Sequence, residues 1–210
     1  MSHVPSSVND VTIQPALRRR PAQARSRARV ERIIAAAGEL IGERGLEPVT
    51  LTDIAERADM ALTAVYRYFP NKQSVVRELA LQTFADDTDT LVATGTEFEG
   101  SLEELILYGV NEFWRRHVAQ PFRLQLRAAI HADAELCALD LDESRRNART
   151  IADLVARLNG RTDVDIVERQ ALLVVELIDS LMRLAARVEP AEAEALLADF
   201  AAMVTRTFAR

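Results

Sequence analysis

Residues 49–76 read VTLTDIAERADMALTAVYRYFPNKQSVV, and the fold turns on how this run divides. Thr50 or Thr52 can cap a helix that continues through Ala58, with Asp53 near its positive end. Asp59 falls where the chain must reverse, a left-handed position that Asp tolerates better than most residues and Gly fills without strain. A second short helix follows over about 62–69, and Pro70-Asn71 stops it. Ile54, Ala55 and Ala58 can pack on Val65 and Phe69, with the small Ala55 where the helices cross. Two short helices joined by a tight turn are a helix-turn-helix, a unit that offers the start of its second helix to the DNA major groove. A helix this short buries little, so Tyr66, Arg67 and Tyr68 are expected to touch something outside the protein.

Working outward, the pattern is helical from about residue 25 to the end. Val30, Ile33, Ile34, Ala37, Leu40 and Ile41 recur every three or four residues, and Gly45 stops that helix. A long fourth helix runs from Lys72 to about Val92, with a loop from Gly95 to Gly100. Ser101 and Glu104 form a capping-box signature for a fifth helix over about 101–118. Pro121 opens a sixth to about 134, and a seventh spans about 142–159 and ends at Asn159-Gly160. The eighth, about 164–188, is apolar over most of its circumference and must be covered on two sides. Pro190 precedes a ninth over 191–208. With no alternating strand pattern, the expectation is an all-α chain of about nine helices. It divides into a flexible arm at 1–23, a helix-turn-helix domain at 24–72 and a larger helical domain at 73–210.

Charge separates the same regions. The net charge of −6 over 210 residues hides 12 Lys+Arg against 9 Asp+Glu in residues 1–80, and 14 against 23 in residues 81–210. The basic excess is concentrated in Arg18, Arg19, Arg20, Arg25, Arg27, Arg29 and Arg32. A basic end on an acidic body suits an anionic partner met by that end. No apolar run is long enough for a membrane span or a signal peptide, and the single Cys137 fits a reducing compartment, so a cytoplasmic protein is expected. No Ser/His/Asp arrangement or Gly-rich phosphate loop is present, and Cys137 has no nearby His, so no enzyme is expected. Three histidines, one cysteine and no His-x₃-His spacing point to no metal site, and no cofactor is implied.

The run 49–76 resembles the DNA-binding signature of TetR-family transcriptional regulators: a short recognition helix ending Tyr-x-Tyr-Phe, then Pro-Asn-Lys and a long connecting helix. The likeness covers about residues 28–80; the rest is similar in helical layout, length and its two long terminal helices. The resemblance implies a regulator of transcription, most simply a repressor released from a palindromic operator by a small, largely hydrophobic effector. An activator, a ligand-independent regulator or a helical protein-interaction module are the alternatives. It implies that Thr50 and Thr52 contact phosphate and that Leu62, Thr63 and Ala64 face base edges. Tyr66, Tyr68 and Lys72, the only lysine, would reach the backbone, Arg67 the backbone or the groove, and Arg25 and Arg27 the backbone or minor groove. Many relatives carry Ser or Thr where Ala61 stands, so one capping contact is missing here.

The resemblance further implies a homodimer through the last two helices, with Ala195, Ala198 and Ala202 along one face of the ninth. It also implies an effector cavity enclosed by the fourth to eighth helices. Polar groups among apolar ones make Tyr108, Asn111, Phe113, Trp114 and His117 the candidates on the fifth helix. Arg127 and His131 are candidates on the sixth, Asn147 and Ile151 on the seventh, and Asp179 on the eighth, where Arg183 one turn on is the expected partner.

Overall fold

The computed structural model describes residues 24–209, and the basic arm expected at 1–23 lies outside them. Nine α-helices and no strand make up the described residues. They are α1 (Ala24–Arg44), α2 (Leu51–Arg57), α3 (Leu62–Val65), α4 (Lys72–Glu97), α5 (Leu102–Ala119), α6 (Phe122–His131), α7 (Ala134–Asn159), α8 (Val164–Ala185) and α9 (Pro190–Phe208).

Helices α1 to α4 form the head. The stripe Val30, Ile33, Ile34, Ala37, Leu40 and Ile41 is buried against Ile54, Ala55 and Ala58 of α2, against Val65 and Phe69, and against Val75, Val76 and Leu79 of α4. Thr50 and Asp53 close a capping box at the start of α2, and Asn71 and Ser74 close one at the start of α4. The reversal at Asp59 has φ 52°, the left-handed conformation expected there. Arg32 donates to the carbonyls of Ala58 and Asp59, which satisfies the end of α2. Arg57 binds Glu39 at 3.1 Å and Glu43 at 2.7 Å, fastening α2 to α1.

Residue 72 is not a break in packing. Leu126 and Ile130 of α6 and Leu136 of α7 belong to the same buried cluster as the head. Phe122 sits against Gly38 and Gly42 of α1, where an added Cβ would lie 3.3 Å from its ring and its backbone nitrogen, respectively. Beyond this junction, Ala148 and Ala152 of α7 and Ala171 of α8 bring those helices close, with Leu102, Val155, Val167, Val204 and Phe208 around them. Val110, Leu181, Met182, Leu197 and Ala201 fill the space between α5, α8 and α9.

Several boundaries differ from the sequence reading. Helix α4 continues through Gly95 to Glu97, because Leu154 of α7 packs there and Gly95 leaves room for it: an added Cβ would lie 2.6 Å from both Leu154 methyls. Helix α7 starts at Ala134 rather than 142, since the Asp133 carboxylate accepts hydrogen bonds from the Glu135 and Leu136 amides. That leaves α6 only to His131. Helix α3 is a single turn, and residues 66–68 continue it as turns. Helix α8 ends at Ala185.

Candidate nucleic-acid interface and effector cavity

At the head, Thr63, Tyr66 and Arg67 face outward, and Tyr66 is 43% exposed. Leu62 and Ala64 are half-buried, and Leu62 leans on the head core. Tyr68 is 7% exposed; its ring is part of the core, and Ser26 Oγ lies 3.3 Å from its hydroxyl. Ala61 provides no side-chain cap for α3. Thr50 and Thr52 are exposed, but the Thr50 hydroxyl donates to Asp53 at 2.6 Å and accepts from its amide. These Thr50 bonds hold the Asp53 carboxyl below its ordinary range. Lys72 Nζ donates to the carbonyls of Leu46 at 3.2 Å and Glu47 at 3.1 Å, tying the α1–α2 loop to the start of α4. Arg25 and Arg27 stand exposed on the first turns of α1.

Helices α4 to α9 enclose a cavity of about 230 Å³. Of the ten candidates, Phe113, His117, Arg127, Asn147, Ile151 and Asp179 line it, and Tyr108, Asn111, Trp114 and His131 do not. The phase of α5 explains three of these. Its wall is made by residues 102, 105, 106, 109, 110, 112, 113, 116 and 117, so residues 108 and 111 turn away. Tyr108 is 48% exposed and rests on Phe98 with ring centres 5.8 Å apart, while Asn111 bonds the Leu107 carbonyl at 2.9 Å. Trp114 packs toward α8 and α9 beside Leu181 and Leu197. His131 is exposed at the last turn of α6.

One part of the wall is ionic. Asp87 of α4 accepts from Arg116 of α5 at 2.9 Å and, through both oxygens, from Arg123 of α6 at 2.8 and 3.0 Å. Arg123 is only 2% exposed. Arg127 donates to Asp140 of α7 at 2.7 Å and pairs with Asp179 of α8, so Asp179 is held by Arg127 rather than by Arg183, which bonds Ser180. Burial pushes the Asp179 carboxyl up to about 6, even with Arg127 beside it. Burial likewise raises Asp87 against the pull of Arg123 and Arg116. His117 is buried with Nδ1 2.9 Å from the Phe113 carbonyl oxygen, and burial lowers it to about 4, so it is neutral at physiological pH. Breaking a buried pair such as Asp87–Arg123 from one side costs roughly 3–5 kcal/mol, because the remaining charge is stranded.

The description "Bacterial regulatory proteins, tetR family" matches residues 33–79, and "Tetracyclin repressor-like, C-terminal domain" matches residues 100–210, more than half of the chain. The chain belongs to the TetR family. That family consists of DNA-binding transcriptional regulators, not enzymes. The chain is 36% identical over 74 residues to the transcriptional repressor KstR2 of Rhodococcus jostii (strain RHA1), 33% of this chain and 36% of that one. It is 32% identical over 120 residues to the HTH-type regulator YdeS of Bacillus subtilis (strain 168), 47% of this chain and 61% of that one. It therefore spans less than two thirds of either relative's length. The crystal structure of a TetR-family transcriptional regulator from Streptomyces coelicolor has a TM-score of 0.65 at 25% identity, covering 87% of this chain and 96% of the other.

Sequence reasoning missed Asp87, Arg116, Arg123 and Asp140 in this TetR-family cavity. On sequence each reads as one charge on an amphipathic helix; only the convergence of α4 to α7 brings them together. One signal was available: Arg123 and Arg127 are one turn apart on α6, on the face that also carries Leu126 and Ile130.

Proposed function

We propose that the chain is a homodimeric repressor whose two heads read a palindromic operator and let go when a small, largely hydrophobic molecule fills the cavity. The observation that carries this reading is the outward face of the α2–α3 unit, where Thr63, Tyr66 and Arg67 stand exposed above a fully packed head. Thr63 would meet base edges with Leu62 and Ala64 beside it, their apolar atoms suited to thymine methyls. Thr52, Tyr66, Arg67, Arg25 and Arg27 would meet the backbone. Thr50, Lys72 and Tyr68 would act mainly by shaping the head, since each has its polar group engaged within it.

The dimer reading rests on α8 and α9. Ile166, Leu173, Leu177 and Leu184 are exposed at steps of seven, four and seven residues, which puts them on one face of α8, and Leu173 is 62% exposed. Ala195, Ala198, Ala202 and Met203 are exposed on α9. A contiguous apolar face of this kind on a monomer marks an interface, and the small alanines would allow close approach. Two-fold pairing would set the recognition helices for half-sites one DNA turn apart, about 34–36 Å.

Release would follow from linkage: a ligand that favours one spacing of the heads, while DNA favours another, weakens DNA binding by the factor that DNA weakens ligand binding. Helix α4 spans head and cavity, and α6 carries both Phe122 against α1 and Arg123 in the cavity wall. To test the reading, genomic fragments retained by the pure protein would be sequenced. Enrichment of an inverted repeat supports it; retention without sequence preference sinks it.

A further inference from the structure

The seven glycines of the chain differ in what holds them in place. Gly45 and Gly160 take positive φ, at 79° and 66°, where a side chain is strained. Gly38 and Gly42 make room for Phe122, Gly95 for Leu154 and Gly100 for the ring of Phe98, each with a neighbour within 3.3 Å of where a Cβ would stand. Gly109 has neither reason. It lies in the interior of α5, outside the positive-φ region, and a Cβ added there would meet nothing within 4 Å among the described residues beyond its own stretch of helix. Glycine inside a helix is less stable than alanine, because more backbone freedom is lost on folding. On helix stability and packing, alanine would serve better at this position.

What Gly109 borders is the cavity. Residues 102, 105, 109, 113 and 116 follow at steps of three, four, four and three, so they run along one line of α5, and all of them line the cavity. Gly109 is the midpoint of that line. Leu105 stands one turn before it and Phe113 one turn after, so the missing side chain leaves a recess with apolar residues on both sides. A straight hydrocarbon chain is narrow and needs no recess in the wall. A ring is broader in one direction, and that width takes the space a wall side chain would fill. Resting on the reading that this cavity holds the effector, we propose that Gly109 sets the cavity's selectivity for shape: the effector carries an apolar ring whose edge enters the recess and packs on the α5 backbone between Leu105 and Phe113. A methyl group at residue 109 would occupy the recess, so the cavity would keep chains and disfavour rings.

Two ten-carbon alcohols of different shape test this: decahydro-2-naphthol, a fused double ring, and 1-decanol, a chain. Binding to the wild type and to Gly109→Ala is read from the fluorescence of Trp114, the only tryptophan, and stability from the melting temperature of the full chain without probe. Gly109→Ala is expected to bind the ring about fivefold or more weakly and the chain within about twofold of the wild type. Its melting temperature is expected to rise by about 1–4 °C. The opposite signs separate this role from a structural one, since a glycine required by packing would lose stability on gaining a methyl group. Unchanged ring affinity, equal losses for ring and chain, a lowered melting temperature, or a wild type that does not bind the ring overturns the assignment. Operator binding by the same wild-type preparation without probe separates the two readings. Retained operator binding with one of those outcomes sinks only the role of Gly109, whereas absent operator binding sinks the regulator reading itself.

Discussion

His117 and Asp179 share one cavity wall, and burial displaces their protonation in opposite directions. His117 is lowered from 6.5 to about 4, so the unfolded chain binds the extra proton first, and its contribution to stability is lost as pH falls through that window. Asp179 is raised from 3.8 to about 6, so the folded chain binds the proton first, and its contribution is lost as pH rises through its window. The two slopes oppose each other between about pH 4 and 6.5 and mask one another in the wild type. His117→Gln is therefore expected to gain on the wild type as pH falls from 6.5 to 4, and Asp179→Asn to lose ground. Each change should be of order 2–3 kcal/mol, from about 1.4 kcal/mol per pKa unit. Urea denaturation of the three proteins at both pH values checks this; parallel stabilities would contradict it. Neither displacement was legible in the sequence, because burial depends on which residues of the other helices close over the side chain.

At the scale of elements, close approaches decide where helices end and meet. Gly95 stands inside α4 against Leu154 of α7, with the Arg157 side chain donating to its carbonyl. Gly95→Val is expected to cost about 1–3 kcal/mol through the overlap with the Leu154 methyls. Adding Leu154→Ala should cost less in that background than in the wild type, and thermal denaturation of the double-mutant cycle would show it. Additive losses would mean that the two residues do not press on each other. The sequence made the opposite suggestion here, because a glycine after a Thr-rich stretch looks like a helix stop, and only the facing leucine explains its place within the helix. The head was far more legible. Its α2 and α3 are short, Thr50 and Asn71 cap the starts of α2 and α4, and the chain reverses at Asp59, so local rules govern this unit, and the expected left-handed residue is found. In the body, the phase of α5 set the limit: a broad apolar stripe faces both the cavity and α9, and periodicity does not divide it. Phe113 and His117 line the cavity, whereas Trp114, one residue from Phe113, packs toward α8 and α9.

For the whole molecule, on the proposed function, the apolar face of α8 and the outward face of the head would belong to one design, in which pairing sets the spacing of two readers. Leu173→Glu places a charge on the most exposed of the α8 leucines and is expected to give a folded monomer by light scattering, with operator affinity down by at least about tenfold. A dimer that survives this change would move the interface elsewhere. The head itself is probed most directly at Thr63, exposed on α3 with no packing role to lose. The measurement is a fluorescence-anisotropy titration of an operator duplex and its scrambled counterpart by the wild type and Thr63→Glu, over a salt series. If α3 reads DNA, the wild type prefers the operator, binds more weakly as salt rises, and loses that preference in the variant while its melting temperature stays within a few degrees. Undiminished operator binding by Thr63→Glu would contradict the account at its centre.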